Sequence, residues 1–189
     1  MSEPGRVCPL RYRYGAGAIA RSRTRPAQTL YVVGGLYGNV PALDTIEAMA
    51  RVEPSAPTLC FNGDFNWFNI TDHDFAEINL RVLANDAILG NVEAELDSPV
   101  DDAGCGCAYP DWVGDATVEH SNRIIERLRA TARQSPEALA ALAALPMHLV
   151  ASVGDTRVGV VHGDADSLAG WGFSQEALAT AAGVRDAER

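Results

Sequence analysis

The sequence contains no lysine; all 15 of its basic residues are arginine. That absence excludes Schiff-base chemistry, a lysine nucleophile and the phosphate-gripping lysine of a P-loop. No apolar run approaches the roughly 18 residues of a membrane span, so no transmembrane helix and no membrane partner are expected. The opening residues, MSEPGRVCPLRYRY, carry no apolar stretch of signal-peptide type, and a cytoplasmic protein is expected. The cysteines, Cys8, Cys60, Cys105 and Cys107, form neither a disulfide framework nor a CxxC zinc knuckle. In a cytoplasm they would be reduced. The GCGC run at 104–107 reads as a local loop feature, with a metal or redox role as the sharper alternative. Excess positive charge is missing too. A net charge of -10 and a pI near 4.7 argue against general nucleic-acid binding through phosphates.

What is present suits one domain: 189 residues, 47% of them apolar, can bury a real core. The charge is uneven. Residues 1–28 hold six arginines against the single acid Glu3, a balance of +5, which leaves -15 on the remainder. We read 1–28 as an irregular basic arm that docks on its own acidic body, or else binds an anionic partner. Residues 29–189 form the domain proper.

Along that domain, apolar strands alternate with amphipathic helices. TLYVVG at 29–34 reads as a buried strand. Asn39 can cap the next helix, with Pro41 in its first turn and Leu43, Ile46, Met49 and Ala50 on one face. PTLCF at 57–61 is a second strand. A helix over 72–84 follows, with Phe75, Ile78, Val82 and Leu83 on or near its apolar face and Leu80 beside it. DAIL at 86–89 is a third strand. This order implies a parallel sheet with crossover helices. Residues 97–115, rich in Gly, Asp, Cys and Pro, read as a loop, followed by helices at 117–133 and 136–145. Two apolar runs flank Gly154–Asp155, a hairpin signal. A last helix is expected over 174–182.

Four turns follow these strands: GGLYGN, NGDFN, GNVE and VHGD. In a parallel α/β sheet, ligands bind beyond the carboxyl ends of the strands, where such turns converge. They offer Asp64, Asn91, Glu93, His162 and Asp164. Carboxylate, amide oxygen and imidazole together suit one borderline divalent cation, Mn, Fe or Zn.

In this order and strand context the turns resemble the motifs of the calcineurin-like metallophosphoesterases. Those run Asp-x-His-Gly-Asn, Gly-Asp, Gly-Asn-His-Asp/Glu, His-Gly and Gly-His-x-His. GLYGNVPAL looks like the first motif, NGDFN the second, GNVE the third and VVHGD the fourth, over about residues 29–172. The resemblance implies an α/β fold, a sandwich of mixed sheets flanked by helices. It also implies two metals that clamp a phosphate and activate a bridging hydroxide. Asp64 matches the bridging Asp; Asn91 and His162 match ligands of the second metal. Gly38 and Gly63 would let backbone approach the site. The segments CPLRYRY and CGCAYPDWVGD also resemble an uncharacterised bacterial branch.

The departures are as informative. Gly35 and Tyr37 stand where the first metal's Asp and His belong, Val92 where a histidine often assists the leaving group. The Gly-His-x-His motif does not occur in this sequence, and the closing C-terminal strands that carry it are expected to be missing. One divalent metal at Asp64, Asn91 and His162 is therefore expected, and a dinuclear centre is not. Tyr37 and Asn39 are candidates for contacting a phosphate or cofactor, as are Glu93 and Asp164 for a further ligand or base. Three readings stay open. The first is a phosphoesterase acting on a phosphomonoester or phosphodiester. The second is a degenerate homologue that binds, for instance, a phosphate-containing small molecule or a phosphoprotein. The third is an unrelated α/β domain whose turns serve another ligand. LAGWGFS at 168–174 reads as a lid. A sheet edge left open by missing strands predicts a homodimer through that edge, or poor solubility.

Overall fold

The computed structural model describes residues 3–98 and 103–188. The fold is α/β, built on two three-stranded sheets. In the first sheet, β2 (Leu30–Val33), β3 (Thr58–Asn62) and β4 (Asp86–Ile88) lie side by side and parallel. The links are α2 (Val40–Val52) and α3 (Asp72–Val82), as crossover geometry requires. Asn39 caps α2 by accepting from the Ala42 N–H, and Thr71 caps α3 through the Asp74 N–H.

The period-2 alternation of β3 organises the layers. Leu59 and Phe61 face a helical layer, where Leu43, Phe75, Ile78, Ile125 and Leu128 close the main core. Cys60, between them, faces the second sheet and meets Leu149, Ala151 and Val160. The second sheet contains β5 (His148–Val153) and β6 (Thr156–Val161), the hairpin expected around Gly154. On the helical side, α5 (Asp115–Ala132) buries Val118, Ser121, Ile125, Leu128 and Ala132 at spacings of three and four. Beside it runs α6 (Pro136–Ala143).

Several expectations need correction. The arm is not irregular. It holds a 3-10 turn (Leu10–Tyr12), α1 (Ala16–Arg21) and β1 (Thr24–Ala27), and β1 pairs in parallel with β5 to complete the second sheet. Pro26 is tolerated because β1 is an edge strand. The arm does dock on the acidic body: Arg6 pairs with Asp115, Arg11 with Glu95 and Arg25 with Asp86. The turn GNVE opens an unexpected short helix, α4 (Asn91–Leu96). The last expected helix divides into α7 (Gln175–Leu178) and α8 (Ala181–Ala187), because Thr180 starts a new cap on the Gly183 N–H. Met49, expected on the apolar face of α2, is exposed. Within the loop at 97–115, residues 99–102 lie outside the described residues. No described helix is long and apolar enough to cross a membrane.

Candidate functional site

Three of the expected residues meet at one point. His162 Nε2 lies 3.1 Å from Asn91 Oδ1 and 3.4 Å from Asp64 Oδ2. Each comes from a different segment: Asp64 from the turn after β3, Asn91 from the start of α4, His162 from the end of β6. The opposite end of each side chain is tied down. His162 Nδ1 lies 2.7 Å from the Asn62 carbonyl, and since a carbonyl only accepts, Nδ1 carries the proton. Asn91 Nδ2 donates to the Cys105 carbonyl at 3.0 Å, which turns its Oδ1 toward His162. Asp64 Oδ1 accepts from the Val92 N–H at 3.0 Å. What remains is an imidazole nitrogen facing two oxygen acceptors.

Such a point must hold something positive. A proton on Nε2 is one solution. Burial pulls the imidazole down, but the charge and hydrogen bond of Asp64 and the Asn62 carbonyl outweigh it and push His162 up to about 9. A divalent cation is the other solution. Bonds of about 2.0–2.2 Å imply donor separations of roughly 3.0–3.5 Å, depending on geometry. The two observed separations fall in that range. The Nδ1–H to carbonyl bond is also the arrangement that presents Nε2 to a metal. Both separations from His162 are therefore compatible with one cation. Among the described residues, no group of three or more His, Cys, Asp or Glu side chains is placed to hold a metal. Two of the three donors here are of those types, and the third is an amide oxygen.

The backbone is built for close approach. Asp64 and Tyr37 both have positive φ, 52° and 51°, a strained region for non-glycine residues that recurs at functional sites. Gly63 has φ +73, and a Cβ there would meet the Gly90 backbone and come within 2.8 Å of His162 Nδ1. A Cβ on Gly90 would strike Asp64. Gly38 makes its close approach elsewhere, to Trp67 and Asn69.

The other sequence candidates take different parts. Glu93 is buried, and its carboxylate accepts from the backbone N–H groups of Asp64 (2.7 Å), Asn66 (3.1 Å) and Gly90 (3.2 Å). Burial and the charge of Asp64 raise it to about 7 against the pull of those N–H groups. It braces the Asp64 turn from behind. Asp164 accepts from Asp166, Ser167 and Gly172 N–H groups, so it organises its own loop. Asn39 is the α2 cap. Tyr37 does line the cleft, and its ring lies over Gly35: a Cβ on Gly35 would come within 2.5–2.8 Å of it. Burial and the charge of Asp64 push its phenol up.

The trio opens into a cleft of about 370 Å³ that also involves Cys107, Tyr109, Trp171 and Phe173. The segment read as a lid forms a wall of this cleft. Trp171 Nε1 donates to the Cys107 carbonyl at 3.0 Å, and Gly172 N–H to Asp164. Its hydrogen bond with Cys105, then burial and the charge of Asp64, keep the Cys107 thiol protonated. Tyr109 was not singled out by sequence; the only signal was an aromatic pair beside the GCGC loop. A larger cleft of about 520 Å³ beside β1 and β5 brings no comparable donors together.

Neither the known family models nor the curated proteins provide a match to this chain.

Proposed function

We propose that the cleft is a single-cation phosphoester site on a metallophosphoesterase-like frame, with Asp64, Asn91 and His162 as the ligands and hydrolysis of a phosphomonoester or phosphodiester as the reaction. The observation that supports this is the convergence of three donors whose far ends are each held by a hydrogen bond. A bound divalent cation would supply Lewis-acid polarisation of a phosphoryl oxygen and an acidified water. The chain's own residues do the rest. Asn62 holds the imidazole in the ligating tautomer. Glu93 fixes the strained Asp64 turn by taking up its N–H groups. The Tyr37 hydroxyl, at the cleft surface, is a donor for a phosphate oxygen. The reading keeps the cytoplasmic setting expected from the sequence.

A second reading, binding without turnover, is favoured by one specific observation: the Tyr37 ring covers Gly35, where the resemblance would place an Asp. Without that ligand and its partner histidine, a two-cation clamp has no counterpart.

Metal content and turnover separate the two. Protein loaded with Mn²⁺ or Zn²⁺ and desalted is expected to retain one equivalent, and Asp64→Ala or His162→Ala to retain none. Hydrolysis of chromogenic phosphate esters that is lost in the same variants establishes the enzyme. Retained cation without hydrolysis establishes the binding protein. Absence of both overturns the proposal.

A further inference from the structure

Among the described residues, the side chains that line the cleft around the cation ligands carry no positive charge. No described arginine lines the cleft, and the sequence has no lysine to do so. Asp64 is in the cleft and the Glu93 carboxylate stands directly behind it, on the Asp64 N–H. A doubly charged phosphomonoester would face this acid pair with no guanidinium to grip it. A phosphodiester carries half that charge. Its second ester group must also go somewhere, and the cleft provides for it.

That provision is aromatic. Trp171 and Phe173 come from the segment after β6, and Tyr109 from the loop before α5. Trp171 is fixed in place. Its indole N–H is held by Cys107, its ring packs on Tyr109 at 5.9 Å, and Trp112 meets it edge-on at 5.5 Å. Phe173 stays 41% exposed in the same cleft. Asp164 secures this segment by accepting from Gly172, and a Cβ on Gly170 would strike its carboxylate. Ordered aromatic faces beside a cation-ligand set are suited to stacking a planar ring.

We infer that Trp171, Tyr109 and Phe173 form a recognition wall for the aromatic group of a phosphodiester, and that the cleft takes such diesters in preference to phosphomonoesters. This rests on the single-cation reading of the same site. Asp164 is then a positioning residue for the wall.

Equilibrium binding tests it without relying on turnover. Three probes are titrated into the Mn²⁺-loaded protein: diphenyl phosphate, phenyl phosphate and diethyl phosphate. Diphenyl phosphate is expected to bind about tenfold tighter than either of the others, within the range that stacking of one ring on an aromatic side chain contributes. Trp171→Ala is expected to remove the advantage over diethyl phosphate, leaving the charge-based preference over phenyl phosphate and the binding of diethyl phosphate and Mn²⁺ unchanged. Phe173→Ala, at an exposed position, should reduce the same advantage without disturbing the fold. Phenyl phosphate binding as tightly as diphenyl phosphate overturns the inference. So does an unchanged diphenyl phosphate affinity in both variants. Mn²⁺ titrated alone separates the two failures. Uptake with no preference among the probes overturns the wall and leaves the cation site standing. No uptake with no probe bound overturns the site and the wall with it. A diphenyl phosphate preference without uptake supports the wall and overturns only the cation.

Discussion

His162 is the side chain whose state reports on the site. In the cation-free protein it is held by Asp64 and Asn62 in its protonated form, with its titration raised from 6.5 to about 9. A folded-state value above the unfolded one means that the fold retains a proton the unfolded chain releases. The stabilisation is therefore complete below pH 6.5 and is lost as pH rises through about 9. Urea unfolding in the presence of a chelator, from pH about 6 to about 9.5, is expected to show a decline of up to about 3 kcal/mol, which His162→Gln flattens above about pH 7, beyond the titration of Glu93. A stability curve of the same slope in the variant would place the titration elsewhere. The identity of this residue was legible as the His of VVHGD. Its tautomer was not, because that depends on a carbonyl a hundred positions away, in β3.

Turns and short helices do the positioning. The turns after β3 and β4 approach so closely that Gly63 and Gly90 leave no room for a methyl group. Gly63→Ala is expected to cost roughly 2–4 kcal/mol, since it combines overpacking against backbone with an unfavourable φ. Gly34→Ala, in the turn after β2, meets open space and should change stability by less than about 0.5 kcal/mol. Urea midpoints for the two variants provide the comparison, and equal losses would mean that the close approach is not what Gly63 is for. Sequence signals located these turns because each follows an apolar β-branched or aromatic run. They did not reveal α4, six residues long, whose hydrophobic pattern is too short to count as periodic. Nor did they reveal β1, where TRPA has no strand pattern and exists because β5 offers it an edge.

The assembly of the two sheets leaves β2 at one end of its sheet, with its outer edge unpaired among the described residues. Val32 on that strand is 46% exposed, and Met49 and Val52 on α2 are exposed nearby in sequence order of the same β2–α2 unit. An unpaired edge with apolar side chains is a template for another strand. Sedimentation velocity is expected to show concentration-dependent dimerisation, and Val32→Lys to shift the protein toward monomer. A wild-type monomer across the accessible concentration range would remove this expectation. The arm belongs to the same architecture. Arg6, Arg11 and Arg25 are ion-paired to Asp115, Glu95 and Asp86, so much of its positive charge is used in holding the arm to the body.

Composition and periodicity were sufficient for the α/β class, the parallel order of β2, β3 and β4, the hairpin of β5 and β6, and the four turns, three of which carry Asp64, Asn91 and His162. These are local matters, decided by side-chain alternation, caps and glycine over a few residues. Only the folded chain decided which of the candidates share a point in space. Glu93 and Asn91 are two residues apart, yet one faces backbone N–H groups and the other faces His162. Asp164 follows His162 closely and spends its oxygens on its own loop. The aromatic wall is assembled from segments about sixty residues apart, joined by the bond from Trp171 to Cys107. Long-range packing sets such directions, and no window of sequence contains the partners that set them.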